Sequence, residues 1–203
     1  MEAPTQSMLA TKVLAMTDSA PAWESHWYAL YTHILVDATA PLGDTIVSPQ
    51  HTLDRTVSSG SRGREIVTCV IPDFVTLKTA GNVYDHASDM VVRPTMVSEG
   101  KKERSATPEV ISYQCWKQVS YCFEKYPGIR RMSVFAWEGS EWRIYVVRRA
   151  HRMNLSVNTD PGYNDQEELD LPESLTIPVV SGSIASFEDL DHVIAMVNRH
   201  LRS

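Results

Sequence analysis

The sequence predicts an α+β (mixed α/β) fold, a central mixed sheet flanked by helices, and three observations carry that prediction. Apolar residues recur at helical spacing in three separated stretches: Trp23 to Ile34, Ile111 to Phe123 and Phe187 to Leu201. Between them lie β-branched and aromatic runs with strand character, at 64–77, 91–99 and 132–147. Helices and strands are therefore interleaved, in the order helix, three strands, helix, hairpin, irregular arm, helix.

Each element follows from local chemistry. Residues 1–17 read as a leader, and 18–203 as one domain with a core at 21–149 and a C-terminal arm and helix at 150–203. Asp18 and Ser19 offer helix caps, Pro21 suits a first-turn position, and Trp23, Trp27, Leu30, Tyr31 and Ile34 give a helix over about 21–36. The stretch 38–63 carries Pro41, Gly43, Pro49, Gly60 and Gly63 with many hydroxyl residues. It predicts a long loop, with short elements around Asp44 to Val47 and His51 to Val57. Ile66, Val67, Thr68 and Val70 form a strand feeding Pro72-Asp73. A third strand runs over 91–99, where Pro94 marks an edge, a bulge or a start at Thr95. Thr107-Pro108 opens a helix that Pro127-Gly128 closes. Residues 132–137 and 142–147 are strands around a Glu138-to-Glu141 hairpin, and 154–183 is an irregular acidic arm. Ser186, with Glu188 and Asp189 in the first turn, starts the last helix.

Composition bounds the function. With 203 residues, 43% hydrophobic, the chain can bury a real core. It has no apolar run long enough to span a membrane and no secretory signal pattern, so an intracellular place is expected, with nucleus and cytoplasm undistinguished. Cys69, Cys115 and Cys122 cannot all pair and sit in apolar patterns, which predicts buried free thiols, and zinc-ligand spacing is absent. The formal net charge of −6 argues against a generic nucleic-acid coat. Positive charge is nevertheless gathered at Arg62 and Arg64, at Lys101 to Arg104, at Arg130-Arg131 and at Arg148 to Arg152.

The chemistry centres on Val70 to Leu77 and Val97 to Lys101. Both are strand patterns carrying acids that an apolar sheet should not hold, because burying an unpaired carboxylate is costly. A shared divalent cation held by Asp73 and Glu99 would neutralise both. Lys101, two residues beyond Glu99, shares its face of the strand.

Pro72-Asp73 followed by Glu99-Gly100-Lys101 resembles the signature of the PD-(D/E)xK (restriction-endonuclease-like) nuclease superfamily, and the Ile-Pro-Asp-Phe strand is similar to that of fungal members. The resemblance covers about 21–149 and implies an αβββαβ core. It implies magnesium or manganese on Asp73 and Glu99, with Lys101 orienting the attacking water. It further implies a third acidic ligand, Glu24, from the helix before the sheet, and a glutamine, Gln118 with Gln114 as its alternative, on the helix after it. The plainer readings are a solvated first-turn glutamate favoured by the helix dipole and two surface glutamines. Gly100 departs from the pattern, which has a bulky apolar residue there, and suggests close packing against a neighbouring helix.

Two functions follow. The first is a metal-dependent nuclease acting on DNA or RNA, with Asp73, Glu99, Lys101 and Gln118 catalytic and Glu24 joining the metal shell. The second is a nuclease-like fold without catalysis, an interaction or regulatory module for a protein partner or a second copy of the chain. A serine or cysteine hydrolase is weaker, since Gly-x-Ser-x-Gly is absent and no histidine has a local partner pattern.

Overall fold

The structure, a computed structural model, describes residues 24–59, 64–80, 91–101, 108–149 and 180–202. In chain order the elements are helix α1 (Glu24–Thr39), a 3₁₀ turn (Ala40–Leu42), β1 (Thr45–Pro49), β2 (Leu53–Ser59), β3 (Arg64–Val70), β4 (Phe74–Ala80) and β5 (Val91–Lys101). They continue with α2 (Pro108–Lys125), β6 (Arg131–Glu138), β7 (Glu141–Arg148), β8 (Val180–Ser183) and α3 (Phe187–Arg202). The α+β class is as expected. The leader, the acidic stretch 151–179 and the start of the first helix lie outside the described residues.

Six strands form one sheet in the order β1-β4-β5-β6-β7-β8. β1, β4 and β5 are antiparallel neighbours, β5 and β6 are parallel, and β7 and β8 continue antiparallel. A parallel neighbour needs a crossover, and α2 supplies it. Along this sheet the chain order is α1, β1, β4, β5, α2, β6, so helix, three strands, helix, strand is present, although its first strand is not the one expected. The short elements expected around Asp44 to Val47 and His51 to Val57 are the strands β1 and β2, and within the described part of 38–63 they leave only short connections in place of a long loop. β3 does not feed the sheet but pairs with β2 as a separate two-stranded ribbon. The alternation in 64–70 is genuine strand chemistry, but it carries no information about which sheet the strand joins. Proline spans β5 because the ladder slips there: Thr76 pairs with Met96 and Leu77 with Pro94, leaving Thr95 unpaired in a bulge.

Each face of the sheet has its own core. On one, α1 and α3 pack together over Phe74, Met96, Phe135, Trp137, Trp142 and Ile144. On the other, α2 covers Val97, Val134, Ala136, Tyr145 and Val147, and Leu53 of β2 joins it. Period-two alternation sends Ser98 and Gly100 to the first face and Val97, Glu99 and Lys101 to the second. Gly100 is explained by the first core rather than by a helix: a Cβ there would lie 1.8 Å from the indole of Trp137, its register partner on β6. Of the three thiols, Cys115 and Cys122 are buried as expected, whereas Cys69 is exposed on the two-stranded ribbon.

Candidate functional site

The site is built where β4 begins and β5 ends. Asp73 stands in the bend just before β4, and the register Phe74 to Ser98 sets it beside Glu99. Two hydrogen bonds stitch the segments: the Gly100 amide donates to Asp73 Oδ2 at 2.8 Å, and the Asp73 amide approaches Glu99 Oε2 at 3.4 Å. Neither acid therefore lies in an apolar strand interior as a bare charge.

Glu99 is only 5% exposed and is held from three sides. Lys101 Nζ lies 3.1 Å from Oε1, and Gln118 Nε2 donates to Oε2 at 2.7 Å. The Lys101 side chain is 25% exposed, so the ion pair has one end in solvent. Ala136, the β6 residue level with Glu99, is small enough to leave the carboxylate room under α2. The four residues expected to act together, Asp73, Glu99, Lys101 and Gln118, thus meet, although up to 45 residues separate them in sequence.

Glu24 opens α1, and its side chain lies outside the described residues. One turn further on the same helix, the Tyr28 hydroxyl donates to Asp73 Oδ1 while its ring packs on Phe74 with centroids 5.5 Å apart. Sequence reading missed Tyr28. Its signal was the spacing of four from Glu24 and a polar tip on an apolar stripe, which is how a buried-edge tyrosine reaches a partner. Gln114, the alternative to Gln118, is half-buried, and no hydrogen bond among the described residues reaches its Oε1.

Cys115 shares this face. Burial pushes its thiol well above the usual range, the Glu99 and Asp73 charges push it further, and a Tyr145 hydrogen bond and Lys101 offset only part. A thiol so held stays protonated and is no nucleophile.

The donor set suits a hard cation. Each of the four carboxylate oxygens accepts a hydrogen bond, and Glu99 Oε2 accepts from both Gln118 Nε2 and the Asp73 amide, so a cation would share these oxygens with donors already in place. The buried Gln118 Oε1 has no hydrogen-bond partner among the described residues, and buried acceptors seldom remain so. Among the described residues no three His, Cys, Asp or Glu side chains gather as a metal cage. Magnesium is commonly held by one or two carboxylates plus water and substrate phosphates. Asp73 and Glu99 would hold it.

Among known proteins, no family model matches the chain and no curated protein matches it significantly. Among the described residues no helix is long and apolar enough to cross a membrane.

Proposed function

We propose that the protein is a magnesium-dependent hydrolase of phosphodiester bonds, a divergent relative of the PD-(D/E)xK nucleases. The observation that carries this reading is the convergence of Asp73, Glu99, Lys101 and Gln118 through direct hydrogen bonds at the junction of β4 and β5. The order helix, antiparallel strand trio, crossover helix and parallel strand supports it. So does Gly100, whose departure from the family pattern has a local cause in Trp137.

In this reading Asp73 and Glu99 supply the anionic oxygens. A divalent cation held by them would supply a coordinated water of lowered pKa and would offset charge on the phosphate. Lys101, fixed by Glu99 and about one-quarter exposed, would orient the attacking water and face the negative charge that grows on the phosphoryl oxygens. Gln118 holds Glu99 Oε2 in place and keeps its own carbonyl oxygen for water or substrate. Tyr28 and the Gly100 amide fix the two oxygens of Asp73, so little reorganisation is needed on binding.

One observation favours the second reading, a non-catalytic nuclease-like module: the Glu99 charge is already balanced by Lys101 without a metal. Titration of magnesium or manganese by calorimetry into wild type, Asp73→Ala and Glu99→Gln separates the two, followed by incubation with single- and double-stranded DNA and RNA. Metal binding and metal-dependent cleavage by wild type, both lost in each variant, are expected. Pure wild type that binds no metal and cleaves none of the four substrates leaves the non-catalytic module.

A further inference from the structure

At the other end of the sheet from the carboxylates, the strands place like charges directly against each other. Lys78 of β4 is level with Arg93 of β5, and Arg131 of β6 is level with Arg148 of β7. Directly opposed residues on neighbouring strands have Cβ atoms about 5 Å apart, and like charges there are destabilising. Two such pairs at the same end of adjacent strand ladders, in a chain of net charge −6, call for a compensating anion. Asp44 supplies one to Lys78, at 3.2 Å and largely in solvent. Among the described residues no carboxylate pairs with Arg93, Arg131 or Arg148.

The last turn of α3 adds to this charge. Lys78 and Arg131 line a groove of about 250 Å³ together with Thr95, Ser133, His200 and Arg202. Cations in the last turn of a helix also complement its dipole, but that accounts only for the α3 residues. It leaves Arg93, Arg131 and Arg148 on the strands unexplained. The hydroxyls of Thr95 and Ser133 are committed to the carbonyls of Thr76 and His200, so recognition falls to the cations.

We propose that this groove binds the sugar-phosphate backbone of a nucleic-acid strand, at a site separate from the carboxylate centre. The cations run across four adjacent strands, and at 4.8 Å per strand the row is about 15 Å long. That length suits consecutive phosphates of an extended polyanion better than a single phosphate ion. Arg93 and Glu99 lie six residues apart on β5, about 20 Å, so one strand of nucleic acid held here is anchored well away from the bond to be cut. Phosphate contacts of this kind position a strand without reading its sequence. Naming nucleic acid as the polyanion rests on the proposed function, and the groove's cationic character does not.

The test is fluorescence anisotropy of labelled single-stranded and duplex oligonucleotides with the full chain in EDTA, across a salt series. Wild type, R93E/R131E, R93Q/R131Q and D73A are compared. The charge reversal is expected to weaken binding at least about tenfold and to lower the slope of log affinity against log salt by about two, with a smaller loss in the glutamine variant. D73A should bind as wild type does. Both arginine variants should melt no lower than wild type, since each relieves a like-charge pair, so loss of binding cannot be loss of fold. Unchanged affinity and slope in R93E/R131E would overturn the proposal. Binding of inorganic tripolyphosphate through Arg93 and Arg131, with no binding of either oligonucleotide, would overturn the assignment to a strand. Because binding is read without metal, a wild type that grips nucleic acid here yet never cleaves it sustains the groove and overturns only the catalytic reading.

Discussion

The two faces of the central sheet solve opposite problems. Under α1 and α3 the sheet is sealed by aromatic rings: Tyr31 stacks on Trp137 with centroids 4.2 Å apart, and Phe135 lies 5.5 Å from both. The Tyr31 hydroxyl, at the edge of that stack, is satisfied by the Gly139 carbonyl at 2.8 Å. Under α2 the sheet holds Glu99, Gln118 and the thiol of Cys115 among aliphatic and aromatic residues, Trp116, Phe123 and Tyr145 included. Charge at the end of one face is held by its own partners, Lys101, Gln118 and the Asp73 amide, while the other face is an apolar core, and Gly100 belongs to both. Its missing side chain admits the Trp137 ring on the aromatic face, while its amide holds Asp73.

The largest effect therefore belongs to the aromatic face. Trp137→Ala removes a ring that is 2% exposed and stacked on Tyr31. It should cost about 3–5 kcal/mol, read by urea unfolding. Because the ring also fills the space beside Gly100, metal binding at Asp73 and Glu99 should weaken in the same variant. A loss below about 1 kcal/mol would mean that this face does not anchor the fold, and the contrast between the faces would fail.

A smaller effect is expected at the edge where the faces meet. Tyr28→Phe keeps the ring on Phe74 and removes only the hydroxyl that donates to Asp73. A hydrogen bond to a charged group on a partly exposed residue is worth about 1.5 kcal/mol, which chemical denaturation resolves. Loss of a partner behind a metal ligand typically weakens metal affinity by about tenfold or more, so calorimetry should show a drop near that size. Unaltered metal affinity in Tyr28→Phe would make the tyrosine a packing residue alone.

What could be read from the sequence divides along the same line. The residues of the carboxylate centre were legible because chemistry gave them away: Asp73 and Glu99 sit in strand patterns that should exclude them, and Lys101 follows by alternation. Gln118 was reached by resemblance, and the fold makes it a donor to Glu99. Tyr28 was hidden in an apolar stripe, since nothing local distinguishes a tyrosine that seals a core from one whose hydroxyl leaves it. The pairing of strands was the least legible feature. The run 64–70 has every strand signal, yet it pairs with β2 outside the main sheet, and the true first strand, Thr45–Pro49, is short and carries two serine or threonine residues and a proline. Register and sheet membership come from contacts distant in sequence, which a local period cannot encode. The Lys78–Arg93 and Arg131–Arg148 pairs were invisible for that same reason.

The smallest effect tests whether the aromatic face can be loosened alone. α3 begins with a cap in which Ser186 Oγ accepts from the Asp189 amide at 3.2 Å, while Asp189 Oδ2 accepts from the Ala185 amide at 3.0 Å and from Ser186 Oγ at 2.9 Å. The Ala185 amide first, and then the Ser186 hydroxyl, hold the Asp189 carboxyl below its ordinary 3.8. A carboxylate with a lowered folded pKa favours folding wherever it is ionised. Its contribution is whole above the unfolded value of about 3.9 and is lost as pH falls through the lower folded value. Asp189→Asn should therefore be less stable than wild type at neutral pH, and the gap should narrow below about pH 4 and close once wild type is protonated as well. The carboxylate is solvent-exposed, so the difference is a small shift in melting temperature. Hydrogen exchange places it: amides of the first turns of α3 should lose protection in the variant, whereas those of α2, which carries Gln118, should not. Equal loss in both helices would show that the two faces open as one unit, and that the aromatic core cannot be loosened without also releasing the carboxylate centre.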